Sequence, residues 1–198
     1  MKKAILYILF VCPVYAAHYD IIANIYTPAL TLQTGDSLYM TDGGFGSLTL
    51  FDNSTAIIEG TSTLSEGSGG IWHFNLANTS RLNMTGGQIH LLDLGNNATA
   101  RLTGGLIQQI WSYQHVTPFG PHITIVHSGA VPTIQTIYGL PHLVGAWGNG
   151  DPFAIYLSEV PANNYGYDPA LTNIRFELIP EPTILALLAL GGWLLRRR

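Results

Sequence analysis

The chain is almost without lysine: Lys2 and Lys3 open it, and no other lysine follows. Arginine adds only Arg81, Arg101 and Arg175 before the closing Arg196, Arg197 and Arg198. Charged residues are 10% of the whole, and all of the 12 carboxylates except Glu181 lie ahead of residue 180. The stretch between the basic ends is therefore acidic. Nucleic-acid binding needs cations that neutralise phosphates, so no nucleic-acid partner is expected. Cysteine is limited to Cys12, close to the start, so the body has no disulfide and no thiol chemistry. Glu, Lys and Arg, the charged helix formers, are scarce, which argues against a helical body. A disordered acidic chain is excluded by the 47% hydrophobic content. What is abundant is Gly (22), Ser, Thr and Asn, and 198 residues suffice for one domain with a core. These features together predict an all-β body with many tight turns.

Both ends read as addresses. Lys2 and Lys3 form a basic n-region, Ala4 to Val11 an apolar h-region, and Val14-Tyr15-Ala16 a small-residue cleavage site. Cleavage is expected between Ala16 and Ala17. At the other end Thr183 to Leu195 is uncharged and apolar. As a helix it would span roughly 20 Å, short of the ~30 Å hydrocarbon core. Adding Ile179 to Pro182 and snorkelling of the arginine heads narrows that gap. Arg196, Arg197 and Arg198 would stop translocation and stay cytoplasmic, with the body on the far side of the membrane.

The order of Pro180-Glu181-Pro182, a short hydrophobic helix containing Gly191-Gly192, and a terminal Arg cluster resembles the PEP-CTERM sorting signal. The likeness covers about the last twenty residues. It implies recognition by an exosortase-type sorting enzyme, a membrane transpeptidase-like protein of exopolysaccharide-making bacteria. It further implies removal of the tag and transfer of the body to the envelope, surface or extracellular matrix. Pro180-Glu181-Pro182 would be the sorting motif. A looser likeness to other PEP-CTERM bodies of unknown function lies in the Gly-Gly copies, Leu140 to Trp147, Gly148 to Phe153 and the following Ile-Pro-Glu-Pro.

Between these ends the sequence repeats. Laying residues 78–92 on residues 96–110 brings Gly86-Gly87 onto Gly104-Gly105, a shift of 18. Residues 37–44 and 55–62 look like weaker copies, and Gly43, Gly60, Gly86 and Gly104 step by 17, 26 and 18. Short runs such as 47–51, 56–58 and 88–92 alternate as strands do, and the Gly pairs and Asn-Ser/Thr clusters read as corners. One copy cannot bury its own apolar face, so the expected fold is a parallel β-helix or solenoid of about four coils over residues 30–112. Its handedness stays open, and the alternative is an antiparallel β-sandwich. The expected organisation is a signal peptide (1–16), a β-helical repeat region (17–112), a β-rich capping region (113–179) and a sorting and anchor segment (180–198). In the capping region prolines punctuate short strands at 122–126, 133–138 and 153–157, and Ile174 to Leu178 closes the stack.

Candidate chemistry is thin. His18, His73, His90, His115, His122, His127 and His142 show no metal-ligand spacing, so surface or turn histidines are expected, and no metal or cofactor. Asp42, Asp52, Glu59, Glu66 and Asp93 fall in or near corners but do not recur at one repeat position. A groove holding two of them could bind calcium or act as a glycosidase pair. Trp72, Trp111, Tyr113 and Trp147 could stack on sugars or simply pack. The glycosylation-like Asn53, Asn78, Asn83 and Asn97 sites follow from corner composition. The expected function is that of a non-enzymatic structural or adhesive protein in contact with extracellular polysaccharide. Alternatives on the same scaffold are a polysaccharide-active enzyme and a calcium-dependent carbohydrate-binding module.

Overall fold

A computed structural model describes residues 16–22, 25–61, 70–95, 97–111, 122–158 and 168–179. Every regular element among them is a strand, as the scarcity of helix formers requires. The strands sort by sequence order into two sheets. The first contains β1 (His18–Ile21), β3 (Ser37–Met40), β5 (Thr55–Ile58), β7 (Arg81–Met84), β9 (Thr99–Leu102), β11 (Ile123–His127) and β15 (Ile174–Leu178), side by side in that order. The second runs from β2 (Tyr26–Leu32) through β4 (Gly44–Leu50), β6 (Gly70–Leu76), β8 (Gln88–Leu94) and β10 (Leu106–Trp111) to β14 (Pro152–Ser158). It then continues to β13 (Leu140–Ala146) and β12 (Thr133–Ile137).

All pairs in the first sheet are parallel, and so are those from β2 to β14 in the second. Only β14–β13–β12 is antiparallel. The antiparallel sandwich is therefore not what forms. Parallel neighbours need a crossover, and from β1 to β11 each crossover contains one strand of the other sheet, whereas β10–β14 and β11–β15 are joined through three strands. The register explains the spacing of the repeat. Ser37 lies against Thr55, Thr55 against Arg81 and Arg81 against Thr99, which are steps of 18, 26 and 18 residues. The long step matches that between Gly60 and Gly86.

Because equivalent residues stack, like side chains meet in buried rows. Leu38, Ala56, Leu82, Ala100 and Ile123 form one, and Met40, Ile58, Met84, Leu102 and Ile125 another. Leu48, Phe74, Leu92, Ile110 and Leu157 form a row on the opposite sheet. Burying one such side chain contributes about 1.5–3 kcal/mol, so these rows dominate the fold's stability. The corners close tightly. A Cβ on Gly86 would stand 2.1 Å from the Glu59 carbonyl oxygen, and one on Gly104 2.4 Å from that of Thr85. The second glycine of each pair carries the left-handed backbone, with φ of 81° at Gly87 and 95° at Gly105.

Residues beyond 113 supply strands to both sheets. Ile123 pairs with Ala100, Ile174 with Ile123, and Tyr156 with Gln109. Trp147 is buried near the end of β13, its indole N–H donating to the Gly105 carbonyl at 2.9 Å.

Candidate functional site

The most chemically distinct surface lies on the outer side of the second sheet, where the strands bend. In β6 the inward residues are Ile71, Phe74 and Leu76, in β8 Ile89, Leu92 and Leu94, and in β4 Phe45, Leu48 and Leu50. Two residues rather than one therefore separate the first inward pair. The ladder runs through Ile71↔Ile89 and His73↔Leu91 but omits Trp72 and His90 between them. The strands stay in register and turn together here, so that two consecutive residues of each point away from the core. The resulting row is Gly46, Trp72, His90 and Gln108.

Trp72 is 56% exposed, and its indole lies flat on the His90 imidazole, with centroids 4.1 Å apart and planes 9° from parallel. His90 is held in turn by its Nδ1 contact with Gln108 Oε1 at 2.7 Å. On the other side of Trp72, a Cβ at Gly46 would meet the Tyr26 hydroxyl and the Pro28 carbonyl oxygen at 2.6 Å each. The row is thus a rigid aromatic surface with polar ends. Alternation alone did not predict the bend. The signal was the i, i+3, i+5 spacing of apolar residues in Ile71–Leu76 and Ile89–Leu94.

Beside it lies a half-buried polar couple. His73 tilts against Trp111 at 5.8 Å, and its Nε2 is buried without a hydrogen-bond partner among the described residues. Asp93 follows on β8. Burial pushes its carboxyl above the usual range, opposed by the His73 charge and by a backbone hydrogen bond at Leu94.

The other candidate carboxylates serve local structure. Asp42 accepts from the Gly43 amide at 2.7 Å. Asp52 accepts from Thr34 Oγ1 at 3.0 Å and Asn78 Nδ2 at 2.7 Å, tying three stacked corners. Thr79 adds a parallel rung to Asn53 at 2.8 Å, the structural role expected of these Asn clusters. Glu59 accepts from the Tyr39 hydroxyl at 2.7 Å, a bond that raises the Tyr39 phenol above its ordinary value. Among the described residues no group of three or more His, Cys, Asp or Glu could hold a metal ion.

The histidine expectation needs correcting at two positions. His122 and His127 are buried, not surface or turn residues. His122 Nδ1 lies 3.0 Å from the Ala98 carbonyl oxygen, and His127 meets Phe176 edge-on at 6.1 Å. The strand pairing of β9, β11 and β15 encloses both. His18 is exposed as expected, at Ser37 Oγ, whereas His142 is half-buried, with its ring 5.5 Å from that of Tyr156 and its Nδ1 3.0 Å from the Leu140 carbonyl oxygen. Trp147 is a core residue, packed 4.4 Å from Phe153.

Ala16 and Ala17, the expected cleavage positions, lie just ahead of β1, with the Ala17 N–H on Asp36 Oδ1 at 2.7 Å. Pro180, Glu181, Pro182, Arg196, Arg197 and Arg198 lie outside the described residues, as do the expected C-terminal helix, Glu66, Tyr113 and His115. Among the described residues no helix is long and apolar enough to cross a membrane. Set against family models, curated proteins and solved structures, the chain matches none of them.

Proposed function

We propose that this chain is an exported, surface-sorted structural or adhesive protein of an exopolysaccharide-rich envelope, built as a parallel β-solenoid and acting without catalysis. The two ends supply the route. The leader directs export, the C-terminal helix holds the chain in the inner membrane, and an exosortase-type enzyme reads Pro180-Glu181-Pro182 and passes the body outward. In the solenoid reading the two sheets are walls of one stack, supported by in-register rows that step by 18 residues, as between Arg81 and Thr99.

The observation that carries the adhesive part is the exposed Trp72 indole, braced flat by His90. A pyranose ring presents a face of polarised C–H groups, and an immobilised indole face attracts them at little cost in side-chain entropy. Retention of the exported protein on immobilised extracellular polysaccharide tests this. Trp72→Ala should weaken binding about three- to tenfold, the equivalent of one stacking contact. Unchanged retention would remove the adhesive role from this surface.

One observation favours a second reading, that of a polysaccharide-active enzyme. The desolvated Asp93 beside His73 has the character of a general acid. Glycoside hydrolysis would need a second carboxylate about 5–9 Å away. Loss of oligosaccharide release in Asp93→Asn, with polysaccharide retention intact, would support this reading over the first.

A further inference from the structure

The corners preceding β3, β5, β7 and β9 of the first sheet repeat one hydrogen bond. The residue just before the strand donates its N–H to the carbonyl three residues back: Asp36 to Gln33 at 3.0 Å, Ser54 to Phe51 at 3.1 Å, Ser80 to Ala77 at 3.3 Å and Ala98 to Gly95 at 3.2 Å. Ala17 occupies this position ahead of β1, since His18 pairs with Ser37 as Ser37 pairs with Thr55. Its nitrogen has an acceptor of a different kind, the carboxylate of Asp36 at 2.7 Å. Asp36 is also singular. The equivalent residues of later copies are the buried, uncharged Ser54, Ser80 and Ala98. A carboxylate thus stands only at the first copy, facing the nitrogen expected to be freed when the leader is removed.

We propose that endoproteolysis between Ala16 and Ala17 creates an α-ammonium group that Asp36 receives, so that processing completes the first corner of the stack. The step consumes one water. Its oxygen joins the Ala16 carbonyl carbon, the C–N bond breaks, and the departing Ala17 nitrogen ends as an ammonium at neutral pH. Before cleavage the nitrogen is a neutral peptide donor. Afterwards it carries a full charge, and charge-assisted hydrogen bonds are about twice as strong as neutral ones. The site is already built. Asp36 Oδ2 accepts from the Gln33 amide at 2.8 Å, and the Ala17 carbonyl accepts from the Ser37 amide at 2.9 Å, which fixes both partners. These amide bonds, from Gln33 first and Ala17 second, hold the Asp36 carboxyl below its ordinary range, so it is ionised at neutral pH. The other titratable groups on the flanking strands are His18, Tyr19 and Asp20 on β1 and Tyr39 on β3, with Asp52 bonded to Thr34 of the adjoining corner and Glu59 to Tyr39. This inference rests on the export reading, but not on where the body is finally delivered.

The sequence makes the test unusually clean. Lys2 and Lys3 are the only lysines, so a chain starting at Ala17 has one primary amine, its own terminus. The full chain is expressed with its leader, recovered from outside the cytoplasm, and acylated with acetic anhydride over a range of pH. Mass spectrometry should find a single label, on Ala17. The folded amine should titrate above the ordinary ~7.7–8.0 of an α-amino group, because the carboxylate favours its charged form. Acylation near pH 7 should then be at least about threefold slower than in Asp36→Asn, whereas Asp20→Asn should leave it unchanged. The same protein in urea gives the unpaired reference should Asp36→Asn not fold. A raised pKa means that the pair's contribution is present below about pH 8 and is lost as pH rises through the folded value. Labels on Lys2 and Lys3, a start other than Ala17, or equal midpoints in native protein and urea would each overturn the proposal. Exported protein with a different start would do so while leaving the export reading intact, and failure of export would end both.

Discussion

At Gly86 the backbone is not left-handed, yet the position has no room for a side chain. Its Cβ would collide with the Glu59 carbonyl oxygen of the copy beneath, in a residue whose own N–H is tied to the Met40 carbonyl at 2.9 Å. Gly129 presents the opposite case, with φ of 66° and nothing within 4 Å of an added Cβ. Gly86→Ala should therefore cost about 2 kcal/mol or more in urea unfolding, and Gly129→Ala only about 1 kcal/mol. Equal costs would mean that copies do not approach as closely as described. The Gly-Gly pairs marked these corners in the sequence. Which member of each pair serves close approach and which serves φ was not legible, because that depends on the copy stacked below.

The carboxylates divide by environment, and their pH dependence divides with them. Glu177 is held low by Arg101, and Asp36 by amides of Gln33 and Ala17. At Asp168 burial pushes upward, but Thr172 and the Thr172 and Ala170 amides outweigh it, leaving its carboxyl below the usual range. Each contributes stability that is present above about pH 4 and lost as pH falls through its depressed folded value. Asp93 has the reverse sign, since its raised value makes the charged form a burden at neutral pH. Asp93→Asn should raise the melting temperature at pH 7 and change it little at pH 3, when Asp93 is protonated anyway. A fall at pH 7 would show that the charge is needed where it stands.

Among the elements, those joined by the 18-residue shift were the most legible, because equivalent residues pair directly, as Gln88 with Leu106 and Arg81 with Thr99. The partners of later strands were not. β15 pairs with β11 across a separation of 51 residues, from Ile123 to Ile174, and no local pattern encodes such a match. Arg101 and Glu177 reinforce that junction by reaching across β11 in a two-pronged ion pair. Both groups are nearly half exposed, so the pair fixes register more than it adds stability. The bend that projects Trp72 also escaped simple alternation, since two consecutive outward residues shift the inward period by one. Its apolar spacing can be read only once the inward rows are known.

For the whole molecule, both edges of the first sheet carry outward charge, Asp20 on β1 and Arg175 and Glu177 on β15. Charge at an edge discourages pairing with further strands, which suits a stack of limited length. In the proposed account the body is a rigid cargo and its destination is set by the C-terminal segment. Pro180 and Pro182 each lack an N–H and restrict the residue before them, so Pro180-Glu181-Pro182 should stay extended where the chain enters the membrane. The most direct test is cell fractionation in a host with the matching sorting enzyme, comparing the natural chain with one carrying Pro180→Ala, Glu181→Ala and Pro182→Ala together. The account predicts that the natural body reaches the envelope or medium, while the triple variant is exported and inserted but stays in the inner membrane. Normal release and surface delivery of the triple variant would contradict it.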